Sequence, residues 1–204
     1  HSNLRRQRQM CIRDRSKREQ QEIILFDGDD YLFKQYLTNC NFYFEYGVGT
    51  STSWVLKNTK SNIISVDTDK KWINTIDISN KGSRIKLNWV NLGELGNWGR
   101  PKSYEYRGKF IDYISNVWSF NEKADVILID GRFRVACFLY SLINAKINSI
   151  IIFDDYNNRP YYHIIEEVVP IYKICGRQAV FRVPENINRS LAENILNKFL
   201  YVFD

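Results

Sequence analysis

The 204-residue sequence predicts an α/β protein: a doubly wound, mostly parallel sheet with one antiparallel strand from a C-terminal β-hairpin. Three observations predict it. Strand-like and helix-like segments alternate along the chain, the pattern of successive βαβ units. Asp125–Ile129 and Ser149–Phe153 are almost continuously apolar and are followed by acidic residues, as expected of strands buried on both faces. Finally, Ile171–Cys175 and Ala179–Val183 flank Gly176-Arg177-Gln178, a hairpin with a three-residue loop. A tight hairpin extends a parallel sheet only by adding a reversed strand.

The elements follow in order. Phe42–Tyr46 is the first strand and ends at Gly47. The Thr/Ser-rich stretch after it provides an N-cap region for a short helix, Ser53–Lys57. Asn62–Val66 is the second strand, closed by Asp67. Asp69–Ile78 has helical spacing, with Trp72, Ile73 and Ile76 on one face. Ile85–Leu92 is the third strand, and Gly93–Arg107, rich in Gly, Asn, Pro and Tyr, is a loop. Phe110–Val117 is helical, since Phe110, Ile111, Ile114 and Val117 recur at helical spacing. Arg132–Lys146 and Tyr161–Val169 are further helices, the second stopped by Pro170. Ser190–Phe203 closes the chain as an amphipathic helix, with Ser190 as N-cap and Glu193 as its capping-box partner. Residues 21–40 form a helix or extension on the first strand, so 21–204 reads as one domain.

Composition narrows the function. Apolar residues make up 44% of the chain, which is globular composition, and no run approaches the roughly 18–20 residues that span a bilayer. The net charge of +6 is uneven: residues 1–20 carry seven Lys/Arg against Asp14 and Glu19, and the remainder is nearly neutral. That basic segment has no core-forming pattern and is expected to be a disordered or non-native tail. A domain this close to neutral has no evident basic face for nucleic acid. Cys11, Cys40, Cys137 and Cys175 form no CxxC pair, which argues against structural zinc. Reduced, mostly buried thiols in a cytoplasmic protein are expected, with a small molecule as substrate.

Three signals carry chemistry. In FYFEYGVGTSTSW a strand runs into a Gly-x-Gly turn and a helix, so Gly47 and Gly49 let the backbone approach a ligand while the helix N-terminus offers free N–H groups. Thr52 occupies the position of the third glycine of the dinucleotide fingerprint, and Glu45 precedes the loop. Both disfavour a pyrophosphate and suit a cationic nucleoside such as S-adenosylmethionine. Asp67, 20 residues after Gly47, is placed to accept hydrogen bonds from ribose hydroxyls. The third signal is the acidic strand ends, Asp130 in LIDGRF and Asp154-Asp155 in IIFDDYNN. They should face one cleft, where they hold Mg²⁺, are neutralised by Arg132, Arg134 or Arg159, or cap helices. Arg132 and Arg134 are also candidates for binding an anionic substrate. His163 lies in an HxxEE run that lacks the second His of a zinc peptidase; it is a helix-surface residue or, if its helix lines the cleft, a general base.

From Phe42 to about Val183 the chain resembles the class I S-adenosylmethionine-dependent methyltransferases, whose sheet is Rossmann-like. The strand–glycine–helix, the acidic strand end and the late hairpin appear in that order. NLGELGNWGRP, LIDGRFRVACFLY and IIFDDYNNRPYY are similar to a bacterial methyltransferase-like group. The acidic strand ends are similar to those of catechol-type O-methyltransferases, which implies metal-ligand roles for Asp130, Asp154 and Asp155. The resemblance implies transfer of a methyl group from S-adenosylmethionine to a small molecule, with oxygen as the acceptor. Glu45, Gly47, Gly49 and Asp67 are the expected cofactor residues, and Asp130, Asp154 and His163 the expected catalytic ones. An NAD(P)-dependent oxidoreductase and a non-catalytic binding protein are the alternative readings.

Overall fold

The computed structural model describes residues 24–79 and 84–204. The basic segment 1–20, with Cys11, lies outside the described residues. Seven strands form one sheet: β1 Phe42–Tyr46, β2 Asn62–Asp67, β3 Ile85–Trp89, β4 Val126–Ile129, β5 Ile150–Phe153, β6 Lys173–Cys175 and β7 Gln178–Arg182. Their order is β3-β2-β1-β4-β5-β7-β6. β1 to β5 are parallel, and β7 runs antiparallel between β5 and β6. The hairpin loop is shorter than the three residues expected. Cys175 pairs with Gln178, so only Gly176 and Arg177 turn the chain.

Both faces of the sheet are covered, which is why β4 and β5 read as unbroken apolar runs. Side chains alternate between faces along each strand. Phe44, Tyr46, Ile127, Ile129, Ile151 and Phe153 enter one core, beneath helices α4 Phe110–Ser115, α5 Arg134–Asn144 and α6 Arg189–Phe199. Tyr43, Ile63, Val126, Leu128, Ile150 and Ile152 enter the other, with α1 Tyr31–Leu37. There Phe33 packs on Tyr43 and Trp54, with ring centroids 6.0 and 5.8 Å away. Helix α2 Thr50–Asn58 follows β1, and α3 Lys70–Ser79 follows β2.

Several local expectations shift. α2 begins at Thr50, earlier than Ser53, because the backbone enters the helix directly at Gly49. Trp72 does not join Ile73 and Ile76 in the core; it is 47% exposed, at the mouth of the cleft described below. Tyr161–Val169 is not an α-helix: a 3-10 helix, Pro160–Glu167, stands there and ends before Val168. The last helix is capped by Asn188, whose Oδ1 accepts the Leu191 N–H at 3.1 Å. Ser190 lies inside its first turn, and Glu193 pairs with Arg189 at 2.9 Å instead of closing a capping box.

Candidate functional site

The strand order reverses between β1 and β4, and a crevice opens there beyond the carboxyl ends of the strands. It is a cleft of about 630 Å³. Its floor is the Gly47 loop. Gly47 has φ +96°, and a Cβ there would lie 3.0 Å from the Asp130 carbonyl and the Gly131 nitrogen. The residue must therefore be glycine for β1 and β4 to end side by side. A Cβ on Gly49 would meet nothing within 4 Å, so the turn into α2 leaves open space above the helix N-terminus.

Glu45 does not reach this space. It is fully buried beneath the loop, where its carboxyl accepts hydrogen bonds from the hydroxyls of Tyr43 (3.0 Å), Ser51 (2.5 Å), Thr52 (2.6 Å) and Ser65 (2.9 Å). Burial raises its pKa against these four donors. Its charge is sealed from the cleft, so it supports no argument about a cationic ligand; it fastens α2 to the sheet. Thr52 completes the fastening by accepting the Gly49 N–H at 2.9 Å.

Asp67 takes the position expected of it. It ends β2 on the cleft wall, with Oδ2 accepting the Val48 N–H (2.7 Å) and Oδ1 the Asp69 N–H (2.6 Å). Burial pushes its pKa up, opposed by these amide donors. Beside it stands part of the Gly93–Arg107 segment, which the sequence predicts to be a loop. Trp98, at φ +61° and 87% exposed, borders the cleft. Its loop is tied to β2 by Thr68 Oγ1, which donates to the Gly99 carbonyl at 2.8 Å. Gly99 cannot carry a side chain, because its Cβ would fall 2.5 Å from that hydroxyl. The clue in the sequence was WG after a Gly-rich stretch, which marks a turn but not what the turn faces.

The opposite end of the cleft holds the acidic strand ends. Ile129 pairs with Phe153, so Asp130 and Asp154 follow adjacent parallel strands. Arginines neutralise them. Arg134, almost fully buried, reaches Asp130 Oδ1 (3.1 Å), Asp155 Oδ2 (3.3 Å) and the Asp154 carbonyl (2.7 Å). Arg177 holds both oxygens of the fully buried Asp154, at 3.0 and 2.7 Å, and Arg159 holds Asp155 at 2.8 Å. Burial, and after it Asp154 and Asp155, push the Asp130 carboxyl up to about 8 against the pull of Arg134.

This donor set does not fit Mg²⁺. The oxygens of Asp154 are committed to a bidentate guanidinium, and among the described residues no three ligating side chains converge. The metal-ligand expectation for Asp130, Asp154 and Asp155 is therefore corrected to an arginine–aspartate network. Two of the arginines named from sequence, Arg134 and Arg159, take part in it. Arg177 was missed because it lies in the hairpin loop, far from Asp154 in sequence.

His163 is exposed on the 3-10 helix and does not line the cleft. It stacks on Tyr156 at 4.8 Å, and its Nε2 lies 3.3 Å from the Tyr156 carbonyl, so the catalytic expectation for it is also corrected. Arg132 borders the cleft. Its guanidinium bonds the Asp204 carbonyl, and its Nε, shielded from solvent, has no partner among the described residues. Burial and then Arg134 lower its pKa.

No family model matches the chain, and no curated protein does. Solved structures do. A methyltransferase-like protein from Silicibacter pomeroyi is 27% identical, with a TM-score of 0.75 over 89% of this chain and 97% of that one. The N-methyltransferase NodS from Bradyrhizobium japonicum, in complex with S-adenosyl-L-homocysteine, is 13% identical, with a TM-score of 0.50 over 80% of this chain and 90% of that one. The chain thus has the class I S-adenosylmethionine-dependent methyltransferase fold.

Proposed function

We propose that the protein is an enzyme that transfers a methyl group from S-adenosylmethionine to an oxygen of a small molecule. The observation that carries this reading is the open Gly47–Thr50 cradle with Asp67 beside it, at the point where the sheet order reverses. The residues fit the cofactor: the Gly49–Thr50 backbone lies open to it, Asp67 offers carboxylate lone pairs to ribose hydroxyls, and Asp67 with Asp69 makes that end acidic. The cofactor, when bound, supplies a methyl group already activated on a cationic sulfur, so the protein's work is alignment and exclusion of water. Asp130 supports oxygen as the acceptor. Its carboxylate, steadied by Arg134, is the group on the far wall suited to take the hydroxyl proton. Among the described residues no helix is long and apolar enough to cross a membrane. The free thiols of Cys40, Cys137 and Cys175 fit a reducing cytoplasm.

The test is calorimetric titration with S-adenosyl-L-homocysteine and, in parallel, NAD. The homocysteine nucleoside binds and NAD does not, and Asp67→Ala weakens its binding by about 1.5–3 kcal/mol, the scale of hydrogen bonds to a charged group. Unchanged affinity in a folded Asp67→Ala variant refutes the cradle assignment. Binding without methylated product from any hydroxylated acceptor pool leaves a binding protein in place of an enzyme.

A further inference from the structure

We propose that Tyr201–Asp204 is a strap for the acceptor end of the cleft, in which Asp204 is a positioning residue: it holds the turn Arg132–Arg134 and, through Arg134, fixes the carboxyl of Asp130. The role of Asp130 toward an acceptor rests on the methyltransferase reading, whereas the strap rests on the side chains alone. The segment follows α6, which ends at Phe199, and reaches the start of α5. Phe203 anchors it. Its ring centroid lies 4.8 Å from that of Tyr104, 5.7 Å from Phe110 and 6.2 Å from Phe133, and the Arg100 guanidinium is 5.5 Å away. Arg100 and Tyr104 belong to the loop that carries Trp98 to the cleft mouth. Phe203 therefore joins that loop to the Phe133 turn.

Asp204 meets the turn with a main-chain and a side-chain oxygen. Its carbonyl accepts from the Arg132 guanidinium, and its Oδ1 accepts the Arg134 N–H at 3.1 Å. α5 needs that partner, because the first N–H groups of a helix have no acceptor within it. Phe133, at the N-cap position, has φ +54° and no side-chain oxygen to offer, and no acidic residue lies in the first turn. A carboxylate at a helix N-terminus also meets the favourable end of the dipole. Asp204 thus supplies from 70 residues away what the local sequence lacks. The consequence runs through Arg134. Its guanidinium is almost fully buried and every nitrogen is committed: Nε to the Gly131 carbonyl at 3.0 Å, one terminal nitrogen to the Asp154 carbonyl and Asp155, the other to Asp130. A side chain bound at this many points moves with its backbone, so the residue that fixes the Arg134 N–H also fixes the grip on Asp130.

The test uses the full chain without ligand, so it does not depend on nucleoside binding. Carboxyl ¹³C NMR follows the titration of Asp130, assigned with Asp130→Asn, and ¹⁵N NMR follows hydrogen exchange of the Arg134 Nε–H. Two modes of action have opposite signs. If Asp204 acts only as a charge, its removal takes a like charge away and lowers the Asp130 midpoint; if it positions Arg134, its loss loosens the countercharge and raises the midpoint. Asp204→Ala is expected to raise the midpoint by about one pH unit and to speed Arg134 Nε–H exchange by about 10-fold or more. Asp204→Asn, which keeps an oxygen for the Arg134 N–H, is expected to stay near wild type in both. Phe203→Leu, which keeps Asp204 and weakens its anchor, is expected to shift both in the same direction as Asp204→Ala, and decides the matter if that variant does not fold. A midpoint that stays or falls in the folded variant overturns the strap. Failure of the wild type to bind S-adenosyl-L-homocysteine overturns the methyltransferase reading instead and leaves the strap standing.

Discussion

Asp130 shows how a single carboxyl is placed under opposing influences. β4 delivers it to a strand end beside Asp154 and Asp155, and Arg134 alone among its partners favours its charge. Its folded pKa, about 8, lies above the value near 4 of an aspartate in an unfolded chain. The folded state thus binds the proton more tightly. The associated stability is complete below about pH 4 and is lost as pH rises through about 8. Asp130→Asn should flatten the fall in melting temperature of the wild type between about pH 5 and pH 8.5; parallel curves would place the raised titration elsewhere. Asp154 is different, because Arg177 compensates it on both oxygens. With the acids paired in this way, turnover should be unaffected by EDTA, and a dialysed enzyme that needs added Mg²⁺ would contradict the network.

At the scale of elements, helix ends decide more than helix interiors. α2 is positioned by Glu45 beneath its first turn and by the Gly49 N–H on Thr52, so its N-terminus faces the cleft. α6 is begun by Asn188 rather than Ser190. Asn188→Ala should cost about 1 kcal/mol in urea denaturation, the usual worth of an N-cap, whereas Ser190→Ala, one residue into the helix, should change stability by less than about 0.5 kcal/mol. The reverse ranking would restore the capping box. Both residues are three positions from a plausible partner, and sequence spacing alone does not say where the backbone leaves helical geometry. The same limit explains the segment after Pro160, where apolar spacing is met by a 3-10 helix as well as by an α-helix.

Across the whole molecule, Arg177 joins parts that are distant in sequence. From the two-residue hairpin loop it holds Asp154 at the end of β5 and Asp27 in the N-terminal turn before α1, the latter at 2.5 Å. The antiparallel β7 is thereby locked to the parallel sheet at the edge of the cleft. Arg177→Ala would leave Asp154 buried and short of its countercharge, and should cost about 3–5 kcal/mol of folding stability, measured by chemical denaturation. Asp27→Ala, which removes only the exposed partner, should cost less than about 1 kcal/mol. Equal losses would mean that the N-terminal turn, not the buried pair, carries the stability.

The sequence by itself determined the sheet and its cradle. Alternating segments, two unbroken apolar strands and a late hairpin specify a parallel sheet with one reversed strand, because strand burial and chain reversal are local consequences of side-chain period and turn length. Gly47, Gly49, Asp67, Asp130 and Asp154 were legible for the same reason: in parallel strands, strand ends share an edge. Which charges meet, and which side chains face the cleft, was decided by tertiary structure alone. Glu45 looked like a ligand residue and is buried under four hydroxyls. Asp154 looked like a metal ligand and answers Arg177 from 23 residues away. Trp98 looked like loop and stands at the cleft mouth. Those outcomes depend on side-chain direction and on contacts between residues remote in sequence, and neither is encoded in local spacing.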